Sequence, residues 1–187
     1  GALSGDGAFT GRVRSLLQAA LPAPAVLLTT SCTSALELAA LLLRGDDAEP
    51  PEVIVPAFTF VSTANAFLLH GFRIVFCDVS ARDGNFDLAS VERAITPRTR
   101  AIVPVHYAGV PGDMDGLMAL ARANGIALSV HAPLFGFMGH VEPSGRKWSS
   151  AVGALDRSAG IAARPGAELV GFHPGFLLER TPEAAPA

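Results

Sequence analysis

Hydrophobic positions recur in two alternating rhythms along the first two-thirds of the chain. RVRSLLQAAL (12–21) spaces its apolar residues as a helix does and stops at Pro22. AVLLTT (25–30) reads as a short strand. Thr33 or Ser34 can cap a helix that runs through SALELAALLLR and ends at Gly45. EVIVP (52–56) is a strand closed by Pro56, and VSTANAFLLHG (61–71) is a helix ending on Gly71. FRIVFCDV (72–79), RAIVPVHY (100–107) and IALSV (126–130) are further strands. Asp87 caps a short helix, LASVERAI (88–95). Asp113 opens another through MDGLMALARANG, ended by Gly125.

Strands alternating with helices predict an α/β fold, a mostly parallel sheet with helices on both faces. The strands read as near-continuous apolar runs, as they must when both faces are covered. Ligands in such sheets bind beyond the carboxyl ends of the strands, so the residues after each strand are the candidate site. After residue 128 the rhythm fades and Pro and Gly become denser. The expectation for 129–187 is an irregular tail, disordered or out of its original reading frame.

Composition narrows the picture. The chain has 187 residues and is 50% hydrophobic, enough for one domain with a sizeable core. A net charge of −3 implies no broad basic surface and argues against a nucleic-acid partner. Cys32 and Cys77 lie far apart in apolar contexts and read as buried, reduced thiols of a cytoplasmic protein. No apolar run approaches the ~20 residues of a membrane span, and no signal-peptide pattern is visible. The opening residues lack a methionine and read as the interior of a longer chain. His131, His140 and His173 have no metal-ligand spacing, so no metal site is expected.

Three strand ends carry candidate chemistry. In SCTSALELAA, small hydroxylated residues open a helix whose first N–H groups have no helical partner. With the helix dipole they make a site for a phosphate, to which the Thr33 and Ser34 hydroxyls can add donors. The alternative is a plain N-cap. In PAFTFVSTAN, Phe58 or Phe60 can stack on a flat ring, or both can pack into the core. In PVHYAG, His106 and Tyr107 place polar tips at a third strand end, for binding or for structural hydrogen bonds. Gly5, Gly7 and Gly11 are not a dinucleotide-binding loop, since no strand can precede them.

Taken in order, SGDGAFTGR, LLTTSCTSALELAALLL, EVIVPAFTFVSTANAFLLHGFRIVFCDV and AITPRTRAIVPVHYAGVPGDMDGLMALARANGIAL resemble the DegT/DnrJ/EryC1/StrS sugar aminotransferases. The nearest branch looks like the dTDP-4-amino-4,6-dideoxygalactose transaminases. The resemblance covers residues 4 to about 128, the first part of a family member. It implies the N-terminal part of a fold-type-I large domain that binds pyridoxal 5'-phosphate. It also implies a homodimer with the site at the subunit interface, and amino transfer from glutamate to a nucleotide-linked 4-keto-6-deoxy sugar. By the same resemblance, Thr33 and Ser34 fall where the family holds the cofactor phosphate, and Phe60 falls on the aromatic that stacks on the pyridine ring.

Two further residues are needed in such an enzyme. A carboxylate must pair with the pyridinium nitrogen, and a lysine must carry the cofactor and move the proton. The family's Glu-Asp-Ala-Ala pattern places the carboxylate at His131 of this chain, within VHAP. Neither form of an imidazole supplies the anion. GFHPGF (171–176) echoes the family's lysine motif without a lysine, and the single lysine, Lys147, reads as a surface residue. A shifted reading frame after residue 128, a pseudoenzyme that docks on a full-length relative, and a divergent enzyme are the three explanations. The first is preferred because the similarity stops abruptly.

Overall fold

Val53, Ile54 and Val55 are all fully buried, although they alternate in direction along one strand. Two separate apolar layers receive them. A computed structural model of the chain describes residues 7–20, 26–107, 110–131 and 169–171. In it β1 (Glu52–Pro56) sends Val53 and Val55 toward Leu36 and Ala40 of α2 (Cys32–Leu43) and Ala66 and Phe67 of α3 (Val61–Leu69). Ile54 points the other way, into a cluster with Val91 of α4 (Leu88–Ala94) and Leu117, Met118 and Ala121 of α5 (Met114–Ala123). The result is a sheet between two helical layers, as the alternation predicts.

The sheet has five parallel strands in the order β2-β1-β3-β4-β5. The other four are β2 (Arg73–Cys77), β3 (Thr99–Ile102), β4 (Ala127–His131) and β5 (Leu169–Gly171). From β1 the chain crosses by α3 to β2 at the edge. It then returns by α4, on the opposite face, to β3, and continues by α5 to β4. The connections leaving β1 and β3 therefore diverge. Such a reversal opens a crevice between the carboxyl ends of two neighbouring strands.

Helix ends follow the expected chemistry in most places. Asp87 accepts the Ser90 N–H at 2.6 Å and Asp113 the Gly116 N–H at 2.9 Å, capping α4 and α5. Gly71 (φ 77°) and Gly125 (φ 64°) adopt the left-handed conformation that ends α3 and α5. At the amino-terminal edge of the sheet, the buried Glu52 accepts hydrogen bonds from Arg73, Arg98 and Thr96, tying the starts of β1 and β2 to the turn before β3.

Four expectations are corrected. Residues 26–29 of AVLLTT form no strand, and Leu27 is 62% exposed. An apolar run becomes a strand only where a neighbour completes its hydrogen bonds. The cap of α2 is Ser31, not Thr33 or Ser34: its backbone is extended (φ −156°, ψ 162°) and its Oγ accepts the Ser34 N–H. RAIVPVHY shortens to β3, ended before Pro104, which has no N–H to give the ladder. The helix expected from residue 12 starts at Ala8, as α1 (Ala8–Ala20).

Of residues 129–187 the structure describes the end of β4 and the short β5. β4 continues across residue 128 to His131, and β5 lies beside it with Ser129, Val130 and His131 opposite Leu169, Val170 and Gly171. A three-residue strand is too short to show a period, so β5 has no signature in the sequence. Lys147 and all but the first residue of GFHPGF lie outside the described residues.

Candidate functional site

The carboxyl-terminal rim of the sheet is assembled by the segments after β1, β2 and β3 and by the start of α2. At α2 the first helical bond runs from Ala35 N–H to the Ser31 carbonyl at 3.1 Å. The N–H groups of Cys32 and Thr33 precede it, as the opening donors of any helix do. Ser31 Oγ takes the Ser34 N–H at 3.0 Å and lies 3.0 Å from Ser34 Oγ, which is also 3.5 Å from Thr30 Oγ1. Thr29 donates its hydroxyl to the Ser31 carbonyl at 2.8 Å and so holds the approach to the helix. Three hydroxyls, from Thr30, Ser31 and Ser34, thus gather at a helix start where the dipole favours an anion. Thr33 is half-buried on the first turn of the same helix. Cys32 is buried beneath it, and burial pushes its thiol up to about 11, so it stays protonated and apolar at neutral pH.

Phe60 occupies the N-cap position of α3 and is 60% exposed, with no side-chain cap. Among the described residues its ring pairs with no other aromatic. Thr33 and Ser34 belong to α2 and Phe60 to α3, two helices that share one apolar cluster on the same face of the sheet. Among the described residues no hydrogen bond joins Phe60 to the α2 hydroxyls.

At the crevice between β1 and β3, Phe58 meets Tyr107, with ring centroids 4.7 Å apart and planes inclined by 43°. The loop after β2 packs beneath them. Gly84 has φ 72°, and a Cβ there would stand 3.2 Å from Tyr107 Cδ1 and 3.4 Å from Phe58 Cδ1. Asn85 is 2% exposed, and its Oδ1 accepts the Tyr107 N–H at 3.4 Å. Its own N–H goes to Asp83 Oδ1 at 3.1 Å, a bond that holds the Asp83 carboxyl below the usual carboxylate range. Beside this pair His106 is 2% exposed, and burial depresses its pKa, keeping the imidazole neutral. His106 Nε2 and Asn85 Nδ2 are buried without a protein partner among the described residues.

Sequence reasoning placed Phe58, His106 and Tyr107 at strand ends but did not pair them. It missed Ser31, Thr30, Gly84 and Asn85. The signal for the last two was available, since Asp-Gly-Asn after a strand is a turn signature. β4 brings the His131 backbone to the same rim, opposite Gly171 of β5. Two open clefts lie at the other edge, one of about 380 Å³ where β3 and β4 begin and one of about 330 Å³ where β1 and β3 begin. Their shared cation, Arg100, is already paired with Asp47. Among the described residues no group of three or more His, Cys, Asp or Glu is placed to hold a metal ion, and no helix is long and apolar enough to cross a membrane.

Residues 4–133 match the DegT/DnrJ/EryC1/StrS aminotransferase family. Over 96 residues the chain is 49% identical to the UDP-N-acetyl-3-dehydro-alpha-D-glucosamine 3-aminotransferase of Acidithiobacillus ferrooxidans, a match covering 51% of this chain and 26% of that protein. It is 43% identical over 97 residues to the spore coat polysaccharide biosynthesis protein SpsC of Bacillus subtilis, covering 51% of this chain and 24% of that one. Among solved structures it is similar to 3-amino-5-hydroxybenzoic acid synthase, with a TM-score of 0.60 at 40% identity over 67% of this chain and 32% of that one. PseC of Helicobacter pylori, an aminotransferase of pseudaminic acid biosynthesis, gives a TM-score of 0.62 at 29% identity over 68% of this chain and 34% of that one. The chain thus spans about a quarter of the length of these curated relatives.

Proposed function

Because the chain belongs to the DegT/DnrJ/EryC1/StrS aminotransferase family, we propose that it forms the cofactor-holding front of an enzyme that transfers an amino group from glutamate to a keto sugar carried on a nucleotide. The observation that carries the reading is the start of α2. Its unspent N–H groups, the hydroxyls of Ser31, Thr33 and Ser34, and the positive end of a 12-residue helix suit the phosphate of pyridoxal 5'-phosphate. When bound, that cofactor supplies an electron sink for the carbanion formed at the amino-bearing carbon. Phe60, exposed at the head of α3, offers a face for its ring. The branch of 4-keto-6-deoxy sugars remains the preferred substrate class on the motifs quoted above. The 3-keto sugar nucleotide in the name of the Acidithiobacillus relative supports the broader class.

The residues present do not supply the carboxylate that the ring nitrogen requires: β4 ends on His131, and neither form of an imidazole is an anion. On this reading the chain by itself binds the cofactor phosphate and does not transaminate.

A second reading, a non-catalytic module that docks on a full-length relative, is favoured by one observation. The outer faces of α2 and α3 leave Leu41, Leu42, Leu68 and Leu69 between 59% and 71% exposed. Equilibrium dialysis with pyridoxal phosphate, pyridoxal and inorganic phosphate tests the first reading. Pyridoxal phosphate is expected to bind at least about tenfold more tightly than pyridoxal, and Thr33→Ala with Ser34→Ala removes most of that advantage. Equal binding of the two, or indifference to the substitutions, refutes it.

A further inference from the structure

The Phe58–Tyr107 pair is not used by the cofactor reading, which assigns the stacking role to Phe60. Yet it occupies the place where, among the described strands, the connections diverge and open a crevice, between the carboxyl ends of β1 and β3. Three loops fix it. Phe58 comes from the segment after β1 and Tyr107 from the segment after β3. The backbone of Gly84, from the loop after β2, runs directly under both rings. Glycine suits this position: its φ of 72° disfavours a side chain, and a Cβ would crowd both rings. Asn85 locks the arrangement from below through Tyr107 N–H, while its carbonyl takes the Ser80 N–H at 2.8 Å. Despite this buried support, Phe58 is 49% exposed. A ring fixed by three loops yet left half open is free to meet a ligand.

We propose that the Phe58–Tyr107 pair is the platform on which the hexose ring of the nucleotide sugar rests, an inference that relies on the sugar-aminotransferase reading above. The 43° inclination favours one part of such a substrate over the other. A flat nucleobase can stack on only one of two rings so inclined. A chair-form pyranose presents axial and equatorial C–H bonds at different angles and can lie against both. The two ring faces are apolar, so the platform recognises the C–H face of the sugar.

Tyr107 is the single tyrosine of the chain, so 3-fluorotyrosine labelling gives one 19F resonance that reports the platform alone. UDP-N-acetylglucosamine and dTDP-glucose serve as stable probes, with UDP and dTDP as controls. Binding of each to the full chain is followed independently by saturation-transfer NMR. The expected result is a 19F shift with the nucleotide sugars and none with the nucleotides. Phe58→Ala should weaken binding of the nucleotide sugars by roughly tenfold and leave UDP unaffected, with Phe58→Trp restoring it. Gly84→Ala, which displaces both rings without removing either, should weaken it likewise, and thermal unfolding verifies that each variant is folded.

An equal shift with UDP overturns the proposal in favour of a base-stacking site. Binding of the nucleotide sugars without a 19F shift overturns it while leaving the sugar-aminotransferase reading intact. No binding of any nucleotide sugar overturns that reading and the platform with it.

Discussion

Glu52 offers a test of how the sheet is held together at the edge opposite the site. It is 1% exposed, and its Oε1 accepts Arg73 Nη1 at 3.2 Å and Arg98 Nη2 at 2.8 Å. Its Oε2 accepts the Thr96 hydroxyl at 2.5 Å. The two sides of this network differ in access to water: the arginine side chains are 62% and 43% exposed, the glutamate 2%. Removing the carboxylate therefore frees two arginines into solvent at little cost. Glu52→Leu loses the Thr96 bond, worth about 1 kcal/mol, and gains apolar burial that offsets most of it. Its net effect is expected within about 1 kcal/mol of zero.

Removing both arginines leaves a buried carboxylate with only Thr96 to satisfy it. Breaking a buried pair from one side costs roughly 3–5 kcal/mol, and the surviving hydroxyl bond puts Arg73→Ala/Arg98→Ala near the low end, about 3 kcal/mol. The two variants should differ by about 2 kcal/mol, which separates urea midpoints by about 1 M for a domain of this size. Equilibrium urea unfolding followed by circular dichroism measures it. If Glu52→Leu destabilises as much as the double arginine variant, the argument from unequal solvation is wrong.

His106 gives the chain a pH dependence of known sign. Its folded pKa lies below the ordinary 6.5, so as pH falls through that value the unfolded chain takes up a proton the folded chain refuses. Stability should drop below about pH 6.5, more steeply in the parent than in His106→Gln, and parallel urea profiles at pH 7.5 and 5.5 would contradict this. Burial holds the Cys32 and Cys77 thiols at about 11 instead of 9.0. Their reaction with a disulfide reagent at pH 8 should be slower than that of the urea-unfolded chain by about a hundredfold or more, and prompt labelling of the folded chain would refute it.

Much of the fold was legible locally. Val53-Ile54-Val55 can be satisfied only by burial on both faces, so the strand and the helical layer on each side of it follow from composition. Asp87 and Asp113 announce helix starts, and Gly71 and Gly125 helix ends, because their side chains, or lack of one, act within four residues. The hydroxyl-rich start of α2 is recognisable for the same reason, though Thr33 and Ser34, the expected caps, lie two and three residues beyond the true one, Ser31. Ser31, Thr33 and Ser34 are chemically similar, and only the extended backbone at Ser31 distinguishes them.

What the sequence could not reveal depends on which distant segments meet. Residues 26–29 carry strand-like side chains but no pairing, because pairing belongs to two segments at once. β5 exists only as the neighbour of β4. Phe58, Gly84, Asn85 and Tyr107 are each unremarkable turn or core residues in isolation; strand order β2-β1-β3 alone brings their three loops to one crevice. Local propensity acts over a few residues and is written in them, whereas the site is a product of how the connections reverse across the sheet.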